Sequence, residues 1–325
     1  MLVSTTCCSN STLIIFNSFL LLSFRIISKY ETNSLNFSIL SPVKLFIILL
    51  LCSAFVIFIK FSSFFGYFIT IKQEVFLLCN RSNIKAKLHW IHVASSSVLT
   101  YYMLHQKRGR VAMDAMEIIP NYNGILVHDH WTPYNKYTNS AHSYCNAHIL
   151  RELNGITQKD NVKWSEDMHR LLTNMNIAIH KAKDNAKKAL TNAQIQKYTL
   201  NYEKIIKSAE SYYPPPNDTL EKARGRPKQE KGKNLLDRLS KYQIEHLRFL
   251  NDFRVPFTNN LAERDLRMIK VKEKISGSFA SFKGGEIFCR VRSYISTLKK
   301  NNISVLQGLR DALAGKAYIP VGVGC

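Results

Sequence analysis

The chain has 325 residues, with 45 Lys and Arg against 23 Asp and Glu, and a formal net charge of +22 at neutral pH. This excess disfavours a cationic partner and favours nucleic acid, because phosphate neutralisation supplies most non-specific affinity. Seven Cys without regular pairing predict no disulfide framework and favour the reducing cytoplasm.

Residues 1–80 differ in composition from the rest of the chain. They hold 12 of the 18 Phe and four of the seven Cys, and they contain no Asp. Such a composition is typical of AT-rich DNA translated without a protein-coding constraint, so we expect an out-of-frame or fused segment. Membrane attachment through the largely apolar run 45–71 is the alternative, although Lys60 interrupts it and a spanning helix needs about 20 apolar residues.

The next part of the chain predicts a sheet. His89–Ser96 and Val98–Leu104, rich in β-branched and aromatic residues, predict two adjacent strands. The apolar stretch Gly124–Trp131 predicts a short buried strand that delivers Asp129 at its end. Ligand sites gather at the carboxyl ends of such strands. Asp129 is therefore a candidate ligand for Mg²⁺ or Mn²⁺, which prefer carboxylate oxygens.

Cys145 and His148 form a Cys-x-x-His pair within a helix predicted over Tyr144–Leu153. On that helix His142 would line the same face. One Cys and one His make at most half of a zinc site. We therefore expect a packed, hydrogen-bonded helix face here, with a metal site as the alternative.

Two helices and a basic linker are predicted next. Apolar residues recur at three- and four-residue steps over 164–182 and 195–209, which predicts two amphipathic helices that pack in a core. Pro214 and its two following prolines end the second helix. Arg224 and Arg226 then lie in an Arg-Gly-Arg-Pro sequence, which suits an AT-rich minor groove. A solvated basic loop is the alternative that we favour.

The stretch 259–270 predicts a helix with Asn259 as its N-cap. Glu263 would share one face with Arg267 and Lys270, because side chains three and four residues apart are neighbours. A carboxylate among cations suits a site where a metal and phosphates meet, and a solvated helix face is the alternative. The candidate phosphate contacts are Arg264, Arg267, Lys270, Lys272 and Lys274.

Several of these segments carry a family resemblance. The segments are His89–Ser96, Leu99–Tyr102, Lys107–Gly109, His128–Tyr134, Cys145–Leu153, Asn234–Leu239, Val255–Arg264 and Lys274–Gly277. With these segments in this order, the chain resembles the insertion-sequence-sixty-six family of bacterial DDE transposases over roughly residues 85–315.

The resemblance implies an α/β fold: an RNase H-like mixed sheet flanked by helices, with a mostly helical insertion between the second and third acids. It makes Asp129 the second acid and Glu263 the third, and it includes the pair Cys145 and His148. It implies cleavage and strand transfer by divalent-metal chemistry in the bacterial cytoplasm. The implied partner is DNA, at the element ends and the target. The oligomeric state stays open, a homo-oligomer included.

The first acid of that family is missing. An Asp-Glu-Thr-Gly-like strand is expected about a dozen residues before the His-Trp pair. That place falls near 78–81, which contains no carboxylate, and the first Asp of the chain is Asp114. Two carboxylates cannot easily hold two cations. We therefore expect an inactive copy, with an active enzyme that recruits Glu74 or Asp114 as one alternative and a membrane-attached, nucleic-acid-binding protein as another.

This interpretation predicts five parts of the chain. A non-family segment covers 1–80, and the first part of the core covers 81–158. A helical insertion with the basic linker covers 159–233. The second part of the core, with the Glu263 helix and a final helix over Ser304–Ala314, covers 234–315, and a tail covers 316–325.

Overall fold

The computed structural model describes residues 74–214 and 229–320. Its centre is a five-stranded mixed sheet in the order β3-β2-β1-β4-β5. β1, β2 and β3 pair antiparallel, whereas β4 and β5 run parallel to β1. The strands are β1 Val75–Ile84, β2 Lys87–Ser95, β3 Thr100–His105, β4 Ile125–His128 and β5 Ala141–Tyr144.

Helices flank this sheet, so the described chain is a mixed α/β protein. The last helices in the sequence pack on the strands: α7 contacts β1 and β2, and α8 contacts β3. The helices are α1 Arg110–Ala115, α2 Asn146–Asp160, α3 Lys163–Asp184, α4 Asn192–Glu210, α5 Lys231–Lys241, α6 Gln243–Asn251, α7 Asn260–Ser276, α8 Phe282–Lys300 and α9 Val305–Leu313.

Helices α2 to α6 form a helical group with its own apolar core. Trp164, Met168 and Tyr202 are among its buried side chains. The two predicted amphipathic helices are α3 and α4, and their apolar stripes face this core as expected. Thr191 and Gln194 form a reciprocal capping box that begins α4, which explains why that helix starts where it does. In the sequence the whole group lies between Asp129 and Glu263.

The central strand β1 crosses the boundary predicted at residue 80. It pairs with β2 along nine residues and with β4 on its other side. Part of the segment expected to lie outside the family fold therefore forms the middle of the sheet. The first half of β1 is continuously apolar, so it lacks the alternation of apolar and polar residues that predicts a half-buried strand.

The predicted helix over Tyr144–Leu153 begins too early. Tyr144 ends β5, Cys145 is extended and acts as the N-cap residue, and the helix α2 starts at Asn146. His142 therefore lies on a strand, and the expectation that it shares a helix face with Cys145 and His148 is wrong. The helix also continues to Asp160, where Asn161 ends it in the left-handed conformation.

Some predictions fall outside the described residues. These are the non-family segment up to residue 73, including the apolar run 45–71, and the basic linker with Arg224 and Arg226. Within 74–214 and 229–320, no helix combines the length and the apolar character that crossing a bilayer requires.

Candidate metal and nucleic-acid site

Asp129 directly follows β4, at the carboxyl end of a strand that runs parallel to both of its neighbours. The Trp131 N–H donates to its Oδ1 at 3.2 Å. Burial raises the pKa of Asp129, while this N–H and the charges of His148 and Arg108 lower it. The sheet therefore places a half-buried carboxylate beside two basic groups, as the strand pattern predicted.

Arg108 is held next to Asp129 by two aromatic rings. Its guanidinium carbon lies 5.0 Å from the ring centroid of Trp90 and 4.2 Å from that of Trp131. Such stacking fixes the planar group and favours its positive charge. The sequence contained both indoles, but only the fold shows that they enclose one arginine, because the three residues come from different strands and loops.

The parallel pairing of β1 with β4 ends with Phe76 opposite Val127. Counted two residues further along both strands, Leu78 comes level with Asp129, so it is the position of β1 that corresponds to this acid. Leu78 is half-buried and packs against two apolar clusters. β1 contains no Asp or Glu at any position.

The neighbouring thiol does not replace that acid. Cys79 offers a sulfur, whereas Mg²⁺ and Mn²⁺ prefer oxygen ligands such as the carboxylate that is missing here.

The two acids considered as substitutes make other contacts. Glu74 precedes β1, and its Oε1 lies 3.8 Å from Arg254 Nε. Asp114 accepts a 2.6 Å hydrogen bond from the Tyr137 hydroxyl and pairs with Arg110 at 3.5 Å. Glu74 thus contacts a cation, and Asp114 contacts a cation and a hydroxyl, away from Asp129 and Glu263.

Glu263 meets the Cys-x-x-His pair. One ligand atom from each of Cys145, His148 and Glu263 lies within 4.8 Å of the other two. Cys145 is the N-cap residue of α2, His148 lies in the first turn of that helix, and Glu263 lies in the first turn of α7. The charge of His148 also lowers the pKa of Asp129.

Asn259 ties the two helix N-termini to the sheet. Its backbone N–H donates to Cys145 Sγ at 3.1 Å, and its Nδ2 donates to the Leu77 carbonyl of β1 at 2.9 Å. It occupies the predicted N-cap position of α7, but its side chain makes no capping hydrogen bond. The capping role is therefore wrong, and the residue serves as a long-range anchor instead.

The helix α7 presents a basic face beside Glu263. Arg267, Lys270 and Lys274 follow Glu263 at steps of four, three and four residues, and all three are exposed. With Arg264, also exposed, they make no salt bridge to another described residue. Lys272 differs, since its Nζ donates to the Gly277 carbonyl at 3.0 Å and lies 3.8 Å from the Phe279 ring centroid. An ammonium has three donors, so these contacts leave Lys272 able to bind a phosphate as well.

Asp265 fixes the opposite face of α7. Its Oδ2 accepts hydrogen bonds from Ser95 (2.6 Å) and Thr100 (3.0 Å), and it pairs with Lys300 Nζ at 2.9 Å. Asp265 and Lys300 are nearly buried, with side chains 11% and 10% exposed. The network joins α7, which carries Glu263, to the β2–β3 hairpin and to α8. No local pattern predicts these contacts, because the partners of Asp265 lie 35 to 170 residues away from it in the sequence.

Buried histidines lie behind Asp129. His128 Nε2 is 2.9 Å from His142 Nδ1, and the rings of His130 and His246 stack at 4.6 Å. Burial lowers the pKa of His128 and of His246 to about 3, and that of His130 to about 2. All three rings are thus neutral at physiological pH and serve as core packing.

A comparison with models of protein families identifies one family. A profile described as "Transposase IS66 family" matches residues 77–287, which is well over half of the chain. The matched segment begins within β1 and ends within α8, so it contains Asp129, the Cys-x-x-His pair and Glu263. A comparison with curated proteins gives no match to this chain.

Proposed function

The chain belongs to the IS66 family of transposases, and from this premise we propose that it is a degenerate member whose core binds DNA without cutting it. The observation that carries the proposal is Leu78, an apolar side chain level with Asp129 on the central strand. Transposases of the DDE type generally use divalent metal ions. A leucine offers no oxygen to such an ion.

The fold supports an RNase H-like core. An antiparallel β1–β2–β3 unit continues into two strands parallel to β1, and Asp129 and Glu263 come from β4 and from a late helix. Helices α2 to α6 would then be the insertion between the second and third acids. We infer this likeness from the strand order and from the family.

The donor groups do not suit a pair of Mg²⁺ or Mn²⁺ ions. Two carboxylates, Asp129 and Glu263, remain where the family resemblance implies three, and the other groups nearby are a thiol and an imidazole. Hard cations take oxygen ligands, and two-ion catalysis needs carboxylates that bind or bridge both ions. In an active relative the ions would activate water and stabilise the leaving oxygen of a phosphodiester. We derive no such step for this chain.

DNA binding requires none of the lost chemistry. The net charge of +22 provides a long-range attraction, and the exposed Arg264, Arg267, Lys270 and Lys274 provide unpaired cations on one helix. Arg108, fixed between its two tryptophans, adds a cation at the strand ends. We propose that phosphates lie along this surface, in the bacterial cytoplasm where the DNA of the element is found.

The proposal is tested by a cleavage and strand-transfer assay on the full chain. The substrate carries the DNA that flanks the gene, and Mg²⁺ or Mn²⁺ is supplied. We expect salt-dependent binding and no cleavage. Cleavage by the unaltered chain that disappears in Asp129→Asn would refute inactivity, whereas cleavage that persists in Asp129→Asn would indicate a contaminating nuclease.

A restored variant sharpens that test. Leu78→Asp returns a carboxylate to the level of Asp129, so we expect it to gain metal-dependent nicking that the unaltered chain lacks. Leu88→Asp is a matched control, since Leu88 is exposed on β2 and pairs with Asn83, which is five residues along β1 from Leu78. Nicking by the control as strong as that by Leu78→Asp would remove the special role given to Leu78.

A further inference from the structure

The cluster at the N-termini of α2 and α7 has the ligand chemistry of a transition-metal site. Cys145 supplies a sulfur, His148 an imidazole nitrogen and Glu263 a carboxylate oxygen, within 4.8 Å of one another. We propose that these three side chains bind a Zn²⁺-class ion. Zinc accepts sulfur, nitrogen and oxygen ligands together, whereas Mg²⁺ and Ca²⁺ take oxygen ligands.

Two further contacts fit an ion at this position. His148 Nδ1 is buried and has no hydrogen-bond partner among the described residues, so no competing contact fixes the ring. Cys145 Sγ already accepts the Asn259 N–H at 3.1 Å. A hydrogen bond to a ligand atom orients it for a metal.

The geometry leaves one coordination position open. Three protein ligands are one fewer than the four of a tetrahedral structural zinc site. Cys145 is buried, whereas His148 and Glu263 are half-buried, so the open position faces the side of the cluster that solvent reaches. Water is the group that would complete the site.

The proposed site changes the role of Glu263. The family resemblance makes this side chain the third acid of an Mg²⁺ site. In this fold, however, the ligand atoms close to its carboxylate are the Cys145 sulfur and a His148 nitrogen, which do not suit Mg²⁺. An ion at the cluster would join α2 to α7 and hold Glu263 toward Cys145. Metal binding is independent of DNA cleavage, so this proposal stands or falls separately from the proposed function.

The test is a Co²⁺ titration of the full-length chain freed of metal, with Co²⁺ as the spectroscopic substitute for Zn²⁺. We expect one equivalent to produce a thiolate-to-cobalt charge-transfer band and the intense visible bands of tetrahedral coordination. Zn²⁺ should displace both. If the thiolate-to-cobalt band does not appear, even when the visible bands reach saturation, the proposal is overturned.

Variants assign the ligands. Cys145→Ser should abolish the thiolate band, while Cys289→Ser, a buried thiol on α8, should leave it intact. A Cys145→Ser chain that keeps the band would refute the assignment. If Cys145→Ser fails to fold, the decision passes to Glu263→Gln, which keeps the shape of a half-buried side chain. It should weaken Co²⁺ affinity by at least the roughly 10–100-fold that loss of a ligand's supporting contact costs, and unchanged affinity would also overturn the proposal.

DNA binding by the same variants separates the two proposals. Cys145→Ser should bind DNA with the salt dependence of the unaltered chain, because it removes no phosphate contact. Loss of cobalt binding with DNA binding intact would support both proposals as independent properties, whereas cobalt binding by an unaltered chain that does not bind DNA would leave the metal site and refute the proposed function.

Discussion

The buried pair of Asp265 and Lys300 is predicted to couple the stability of the fold to the helix that carries Glu263. Replacing Asp265 by Ala leaves the Lys300 ammonium 10% exposed, with only the neutral oxygens of Ser95, Ser96 and Leu99 as partners. Breaking a buried pair by removing one member costs about 3–5 kcal/mol, because an uncompensated charge remains. Such a loss is a large part of the roughly 5–15 kcal/mol that stabilises a typical domain.

Replacing the other member of the pair, Lys300, is expected to lower the free energy of unfolding by less. Lys300→Met keeps most of the apolar stem and leaves Asp265 with its two hydroxyl donors, so the loss is about 1–3 kcal/mol, as for a hydrogen bond to a charged group. The double variant Asp265→Ala/Lys300→Met contains neither charge. It should therefore be less destabilised than the sum of the two single variants, by about 2 kcal/mol.

The assay is urea unfolding of the four chains, followed by circular dichroism. Asp167 and Arg170 provide a matched cycle, because they form a salt bridge on the exposed face of α3. Their coupling should be only about 0.2–0.5 kcal/mol and should fall with added salt. If the Asp265–Lys300 cycle is additive within about 0.5 kcal/mol, the pair does not act as a unit and the reasoning fails.

The pH dependence of Asp265→Ala supplies a second readout. Burial lowers the pKa of Lys300, and the charge of Asp265 opposes this change. Without Asp265 the folded-state pKa falls further below the value of 10.5 in the unfolded chain. Below pH 10.5 the unfolded state of this variant then binds more protons than its folded state. The free energy of unfolding of Asp265→Ala should therefore approach that of the unaltered chain as the pH rises toward 10.5.

Three further predictions concern acid stability, DNA binding and the upstream DNA. Burial first, and then the charge of Arg238, lowers the folded-state pKa of His246 from 6.5 to about 3; its contribution to stability is therefore present above pH 6.5 and lost as the pH falls toward 3. In urea unfolding, His246→Met should lose about 2 kcal/mol less than the unaltered chain between pH 7.5 and pH 5, whereas the exposed His180→Gln should show no difference; equal losses in all three chains would contradict the assignment. Arg267→Ala/Lys270→Ala should lower the slope of log K against log salt by up to about 1.8 in filter binding to duplex DNA, and an unchanged slope, like that of Lys207→Ala on α4, would rule out these phosphate contacts. Sequencing the DNA upstream of codon 85 and translating all three frames should show an Asp-Glu-Thr-Gly-like strand in another frame, and its absence would exclude a frameshift as the cause of the lost acid.

Local patterns were enough to predict the elements that carry the two acids. The short apolar run before Asp129 and the helical spacing around Glu263 both correspond to observed elements, β4 and α7. The basic face of α7 also follows from its three- and four-residue steps. In each case the information is contained in fewer than 20 neighbouring residues, and burial on one side of the element determines the pattern.

Contacts between distant segments could not be predicted in this way. His142 was assigned to a helix because the residues before Cys145 form only a four-residue strand, whose edge position allows a mixed sequence. The capping role expected of Asn259 follows a local rule, whereas its actual partners, Cys145 and Leu77, are 114 and 182 residues away. The meeting of Glu263 with the Cys-x-x-His pair is of the same kind. Only the tertiary fold, which brings the N-termini of α2 and α7 together, creates it.

The central position of β1 explains how a catalytic side chain can be replaced there without loss of the fold. A strand ladder is made of main-chain amides, and these are the same whether the side chain is Asp or Leu. β1 therefore keeps nine paired positions with β2 while offering no carboxylate to a metal. Selection on folding cannot detect such a change, since Leu78 finds apolar neighbours. On the proposed function, the fold would outlast the catalytic chemistry, and an inactive copy would persist as a folded, strongly basic protein able to compete for the DNA of its active relatives.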